Sequence, residues 1–173
     1  QSQLARLGVE VSTGRAITAV DEQGVRIGAD FIAARTVLWA AGVAASPLGR
    51  QLDAEVDRVG RVLVAPDLSI PAHPEIFVAG DLASVTGAAG PVPGIAPAAK
   101  QMGRHVARTL QARLAGRAAV AFRYRHYGLL ATVGRMAAVV DLGWLRLSGL
   151  IAWWIWLLTH IYFLIGFRNR LVV

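Results

Sequence analysis

The run Ile76-Phe-Val-Ala-Gly-Asp-Leu-Ala83, taken with Gly94-Ile-Ala-Pro-Ala-Ala-Lys-Gln-Met-Gly103 just beyond it, constrains this chain more than any other stretch. Apolar and small residues closing on Gly80-Asp81 read as a buried parallel strand. Its carboxyl end releases one acidic side chain into a crevice, where open α/β sheets bind their ligands. A carboxylate there suits a sugar-like polyol, and a carboxylate that only caps the next turn is the plainer reading. After the break Pro91-Val-Pro-Gly94, the Ala/Gln/Met/Arg-rich run from about Ala96 to Leu114 predicts a helix with Pro97 in its first turn. A helix N-terminus carries unpaired N–H groups and partial positive charge, and so can hold a phosphate or an anionic heterocycle.

Before this element, Val9 to Thr13, Ala16 to Asp21 and Val25 to Ile27 alternate in part and are parted by Gly14 and Glu22-Gln-Gly24, which predicts a meander of short antiparallel strands. Phe31 to Ala34 and Thr36 to Ala41 predict an apolar strand with Trp39 in the core. Residues 44–75, rich in Pro and Gly, read as surface connections and a hairpin around Arg61-Val-Leu-Val64, with Asp67 in a turn. After the helix, Leu130-Ala-Thr-Val133 and Ala137-Ala-Val-Val140 predict two strands about Gly134-Arg135, preceded by Tyr124 and Tyr127 as packing aromatics.

The charge is unevenly placed. Residues 1–99 hold seven Arg and ten Asp/Glu, whereas residues 100–173 hold eleven Lys/Arg and one acid, Asp141. The basic part is also the apolar part, which suits an anionic membrane surface, each Lys/Arg being worth about 1 kcal/mol there. No nucleic-acid motif accompanies the charge, so nucleic acid is not expected as a partner. Residues 149–167 are the most hydrophobic segment. As one helix they would be about 28 Å long, close to a bilayer core of about 30 Å. Length permits a span; Trp153, Trp154, Trp156 and Tyr162, with Arg168 and Arg170 after them, favour a helix lying in the interface.

The absence of cysteine excludes disulfides, thiolate zinc and redox Cys pairs within these 173 residues. His73, His105, His126 and His160 lack carboxylates at ligand spacing, so no metal site is expected. No G-x-G occurs, so the glycine turn that would hold a dinucleotide pyrophosphate is not in this segment. With an opening that reads as mid-domain, the chain is expected to be a C-terminal fragment of a larger protein.

Five blocks carry a family resemblance: Thr36-Val-Leu-Trp-Ala-Ala-Gly-Val43, Ile76-Phe-Val-Ala-Gly-Asp81, Ala96-Pro-Ala-Ala-Lys-Gln-Met-Gly103, Tyr127-Gly-Leu-Leu-Ala-Thr-Val-Gly-Arg135 and His160-Ile-Tyr-Phe-Leu-Ile-Gly-Phe-Arg-Asn-Arg170. In order and spacing they resemble the C-terminal part of type II NADH dehydrogenases, membrane-surface flavoproteins that pass electrons from NADH to quinone without pumping protons. The resemblance implies an α/β fold of the two-dinucleotide-binding-domain kind. Residues 1–42 would be the tail of the NADH-binding domain, 43–118 the C-terminal half of the FAD-binding domain, and 119–173 a hairpin and membrane-binding helical tail.

It further implies FAD and NADH as cofactors and quinone as acceptor. Gly80 and Asp81 would hold the FAD ribitol and lie near the pyrophosphate, and Ala98, Ala99 and Lys100 would face the isoalloxazine. Gln101 would lie at the quinone, although Pro97 replaces the family's other glutamine. Location is expected on the cytoplasmic side of a bacterial inner membrane, peripheral and monotopic, with a homodimer left open. The rival expectations are a sulfide:quinone reductase, against which the missing cysteines argue, and a non-catalytic membrane-anchored remnant of a flavin domain.

Overall fold

The computed structural model describes residues 1–87 and 90–164. It is a mixed helix and sheet structure made of two compact units, one from residues 1–40 with 128 onward, the other from Ala41–Tyr127. The first opens with a short helix α1 (Ser2–Arg6) and an antiparallel meander of β1 (Ala19–Asp21), β2 (Gly24–Ile27) and β3 (Asp30–Ala33). Asp21 closes the β1–β2 turn by accepting from the N–H groups of Gln23 and Gly24. The expected strand at Val9–Thr13 is absent, and so is one at Thr36–Ala41. Trp39 is 63% exposed rather than buried. A strand needs at least one neighbour to take its backbone N–H and C=O groups, and no described residue pairs with 36–41.

In the second unit, β4 (Val62–Leu63) lies parallel to β7 (Ala83–Ser84), β5 (Ser69–Ile70) antiparallel to β6 (His73–Phe77), and β8 (Thr86–Gly87) antiparallel to β9 (Gly90–Pro91). This corrects the expectation for the central run. The strand ends at Phe77 and pairs antiparallel with Ser69–Ile70, because the two-residue turn Pro71–Ala72 folds the chain straight back; the parallel pairing belongs to Ala83–Ser84, beyond Asp81. Leu68, at the end of the turn before β5, has φ 72° and is fully buried. The left-handed backbone costs about 1–2 kcal/mol, and burying a leucine offsets it with about 2–3 kcal/mol. Val62, Leu68, Ile70, Val78, Ala83, Val92, Ala98 and Met102 form the core.

Helix α2 runs Ala96–Leu114, with Pro97 in its first turn as expected. Gly116, at φ 65°, stops it: the Gly116 N–H donates to the Arg113 carbonyl at 3.0 Å and the Arg117 N–H to the Ala112 carbonyl at 2.8 Å, closing the last turn. Arg113 holds this end to the sheet side of the unit. Its guanidinium donates to Asp67 at 2.7 Å and to the Pro74 carbonyl, and lies 4.7 Å from the centre of the Phe77 ring.

The rest of the first unit is a three-stranded antiparallel sheet of β10 (Leu129–Thr132), β11 (Ala138–Asp141) and β12 (Arg146–Gly149), on which helix α3 (Leu150–Phe163) packs. The β10–β11 hairpin is the expected one; β12 was not expected. At 14 residues α3 is shorter than the nineteen-residue helix read from the sequence, and at about 21 Å falls well short of a bilayer core. Among the described residues no helix is long and apolar enough to cross a membrane. Arg168 and Arg170 lie outside the described residues.

Asp57 ties the loop before β4. Burial pushes its carboxyl up, but the backbone N–H and guanidinium of Arg61, the N–H of Val59 and the Ser84 hydroxyl outweigh this and hold it at about 2. A carboxyl lowered from an ordinary 3.8 contributes stability that is complete above pH 3.8 and disappears as the pH falls through about 2. Asp57→Asn is expected to lower the urea midpoint at neutral pH and to reduce the further loss seen on going from about pH 4 to about pH 2. Equal acid sensitivity of variant and parent would show that Asp57 carries none of it.

Candidate functional site

The site grows from the turn that follows Val78. Residues Gly80–Leu82 form one turn of 3-10 helix, with Gly80 at φ 75°, a conformation glycine adopts without cost. Its N–H donates to the Met102 thioether at 3.2 Å. A Cβ added at Gly80 would lie 3.6 Å from the Ala99 Cβ. The turn is thereby seated on the first two turns of α2, and Gly80, Asp81, Ala98 and Ala99, separate in sequence, come together.

Asp81 is exposed, and its carboxylate forms no hydrogen bond among the described residues, so it does not cap its own turn. Beside it is Gly94, where an added Cβ would stand 3.4 Å from the Asp81 Oδ1. The carboxylate therefore faces a place where no side chain intrudes. Helix α2 begins next to it from Ile95, with no side chain bonding its first turn. Its free donors are fewer than a bare helix start would offer. Pro97 has no N–H, and the N–H groups of Ala98 and Ala99 both go to the Ile95 carbonyl, at 2.9 and 3.1 Å. The helix start therefore acts on a ligand mainly through its partial positive charge. Ala98 is buried, Ala99 half-buried and Lys100 exposed.

An acidic acceptor open to a polyol, a gap without a side chain and an uncapped helix start fit the sugar and anionic parts of a flavin dinucleotide. No group of three or more His, Cys, Asp or Glu that could hold a metal occurs among the described residues.

Gln101 has a definite local partner. Its Nε2 donates to the Arg125 carbonyl at 2.8 Å and its Oε1 accepts from the Arg125 N–H at 2.9 Å, so the amide closes a strand-like pair with residue 125. One N–H and one oxygen lone pair are left over and held in a fixed direction. Tyr124, packed against the core, has its hydroxyl 3.1 Å from the His126 Nδ1, and burial pushes that phenol up. Tyr127 is exposed.

Sequence reading missed Met102, Gly94 and the backbone of Arg125. The first was within reach, since Ala98 and Met102 stand four apart on the buried side of α2; nothing in the sequence announces the other two.

On α3, Trp153 and Trp156 pack with Ile155 around the buried Ala152. Ile151, Trp154, Leu158 and Tyr162 fall three, seven and eleven residues along and are 67%, 50%, 62% and 69% exposed, an apolar stripe on the other side of the helix.

A family model for pyridine nucleotide-disulphide oxidoreductases matches residues 1–103. The type II NADH:quinone oxidoreductase Ndh of Mycobacterium tuberculosis is 43% identical, over 98% of this chain and 38% of its own length. A type II NADH:quinone oxidoreductase of Staphylococcus haemolyticus is 37% identical over 73% of this chain and 33% of its own length. The mitochondrial internal alternative NAD(P)H-ubiquinone oxidoreductase A1 of Arabidopsis thaliana is 28% identical over 79% and 31%. The chain thus spans less than two-fifths of the length of these relatives. Among solved structures, an NAD-dependent persulfide reductase from A. fulgidus superposes with a TM-score of 0.60 at 18% identity, over 80% of this chain and 26% of that one, a likeness of fold.

Gln101→Ala removes both bonds to Arg125, about 0.5–1.5 kcal/mol each, and is expected to speed hydrogen exchange at the Arg125 amide about tenfold or more. Gln101→Glu, which keeps the acceptor and loses the donor, should fall between. Unchanged exchange in both variants would show that the amide does not hold residue 125.

Proposed function

The chain belongs to the pyridine nucleotide-disulphide oxidoreductase family, and on that premise we propose that it is the C-terminal part of an FAD-dependent NADH dehydrogenase that passes electrons from NADH through FAD to a membrane quinone. The observation that carries this reading is the open Asp81 carboxylate, seated beside Gly94 and the uncapped start of α2. In this reading residues 1–42 end an NADH-binding domain, 43–118 complete an FAD-binding domain, and 119–173 provide a hairpin and a membrane-binding tail.

The flavin, when bound, accepts a hydride and releases its electrons to the acceptor. Asp81 accepts hydrogen bonds from the ribitol hydroxyls, and Gly80 lets the backbone approach without a side chain. The small residues Ala98 and Ala99 admit a flat ring to the helix start, where the dipole and the Lys100 charge favour the anionic, reduced state. Gln101 offers a quinone carbonyl the N–H that Arg125 leaves over. With proline at position 97, that single donor replaces the pair of amides the family pattern would supply.

Membrane attachment is the reading that α3 supports. Its inner side is covered by the sheet, while Ile151, Trp154, Leu158 and Tyr162 remain exposed. Aromatic and aliphatic residues in a continuous stripe on a helix of this length suit a helix lying along the interface. The reading is therefore of a peripheral protein whose tail lies flat on an anionic membrane, on the side where NADH is present.

The test uses the full-length protein, mixed anaerobically with NADH while flavin absorbance is followed, then given a short-chain quinone. Bleaching by NADH and recovery with quinone are expected; flavin that stays oxidised with NADH sinks the donor assignment. Asp81→Ala is expected to weaken FAD retention by about tenfold to a hundredfold, for the loss of a charge-assisted hydrogen bond. Gly94→Val should do so by filling the gap beside the carboxylate. Leu158→Glu is expected to reduce flotation with phosphatidylglycerol vesicles about tenfold or more, because it buries a charge in the interface, and to leave the flavin spectrum as it was. If flotation is unchanged, α3 is not the contact.

A further inference from the structure

A cleft of about 710 Å³ lies where the β10–β11 loop meets α3, lined by Thr132, Gly134, Arg135, Met136, Trp153 and Trp156. The flavin chemistry uses none of these residues. Arg135 is exposed at the mouth, and among the described residues it makes no hydrogen bond or ion pair. The other cation of this sheet, Arg146, donates to Asp141 at 3.0 Å, at the far end of the β11–β12 pair.

The aromatic wall is fixed in advance. The Trp156 ring stacks on His160 with centroids 4.2 Å apart, and the His160 Nδ1 lies 2.7 Å from the Trp156 carbonyl. Trp153 meets the edge of Trp154 at 5.2 Å and packs against the core below. Met136 closes the loop at φ 54°, a conformation that side chains other than Gly and Asn adopt at a cost, and it keeps an apolar side chain at the rim.

An uncompensated guanidinium, a hydroxyl and two indole rings together specify a ligand that is anionic at one end and apolar at the other. Arg offers a planar fork that matches a phosphate, and indole favours the boundary between water and hydrocarbon. A choline headgroup would find the aromatic faces but meet the Arg135 charge. A free phosphate would satisfy Arg135 and leave the indole faces wet. The exposed apolar stripe of α3 lies on the opposite side of the same helix from Trp153 and Trp156. We propose that this cleft holds the headgroup of one anionic phospholipid, with its phosphate on Arg135 and Thr132 and its glycerol and first acyl carbons against Trp153 and Trp156.

The proposal rests on the membrane-surface reading above and goes further, to a single lipid at a named place. Its test is titration of the full chain with dihexanoyl-phosphatidylglycerol below its critical micelle concentration, read by indole fluorescence. Saturation at one lipid per chain is expected, with dihexanoyl-phosphatidylcholine and inorganic phosphate each weaker by about tenfold or more. Arg135→Gln should weaken phosphatidylglycerol about tenfold, and Arg146→Gln, the same charge change outside the cleft, less than about twofold. Both residues are exposed, and an unchanged circular dichroism spectrum confirms that each variant is folded.

Equal binding of phosphatidylcholine, full competition by inorganic phosphate, or equal losses in the two variants would overturn the site. Flotation with vesicles of mixed phosphatidylglycerol and phosphatidylcholine reports the membrane reading separately. A chain that floats but shows no saturable lipid binding loses only the cleft, and one that does not float loses both.

Discussion

The candidate site depends on how closely one turn can approach one helix. Leaving Val78, the chain has a backbone N–H at Gly80 with no strand to receive it, and the acceptor it finds is the sulfur of Met102. A thioether is a weak acceptor, so the bond alone would not hold the turn. Burial does the larger share, since Met102 is 2% exposed and Ala98 1%, and the buried methionine contributes about 1.5–3 kcal/mol. The approach is possible because neither partner has a side chain in the way: glycine on the turn, alanine on the helix. A larger residue at position 99 would lift the turn off α2 and carry Asp81 with it. The small residues at the helix start are thus a condition for the geometry of the acid as well as for admitting a ligand.

A seat at one end would let the helix pivot, and α2 is fixed again at its other end. From Ala98 to Arg113 is about 22 Å of helix at about 1.5 Å per residue, and Arg113 there joins Asp67, the Pro74 carbonyl and the Phe77 ring. Burial would push the Asp67 carboxyl up, yet hydrogen bonds from Ser69 and Arg113 hold it below the usual range, so the pair stays ionised at neutral pH. Asp67 is in turn set by the turn that buries Leu68, whose carbonyl receives the Val78 N–H at 3.0 Å. One loop therefore governs both ends: it anchors the helix C-terminus and delivers the chain to Gly80.

Much of this was legible in the residues. The start of α2 follows from Pro97 in its first turn, the β10–β11 hairpin from two strand-like runs about Gly134-Arg135, and the meeting of Gly80-Asp81 with Ala98-Ala99 is what the family resemblance implied. Other features were hidden for physical reasons. Strand direction is not written in an apolar run: Ile76-Phe77 reads equally well as parallel or antiparallel, and the two-residue turn Pro71–Ala72, which returns the chain beside Ser69–Ile70, decides it. Trp39 looked buried because the surroundings of an apolar residue cannot be read from its neighbours in sequence. Gln101 was expected at the quinone, and its pairing with Arg125 joins residues 24 apart through backbone groups, which carry no sequence signal.

Helix α3 poses an energetic question that the sheet answers only by half. Its residues are apolar nearly all round, which is the composition of a helix covered on every side. Ala138, Val140 and Ala152 form the dry seam with the sheet, and Trp153, Ile155 and Trp156 spread over it. Opposite lie Ile151, Trp154, Leu158 and Tyr162, each half or more exposed. Leaving such a stripe in water forfeits about 25 cal/mol for each Å² of apolar surface, which over four large side chains exceeds what a single exposed ion pair contributes. Crossing a bilayer would need about 30 Å of apolar helix, and the described helix has 14 residues. In the proposed membrane-surface reading both conditions would be satisfied: a helix lying along the surface would place the stripe in the acyl boundary and the exposed indole at the depth of the headgroups. The short helix and its second apolar face, which look like faults in a globular domain, are what a surface-lying element requires.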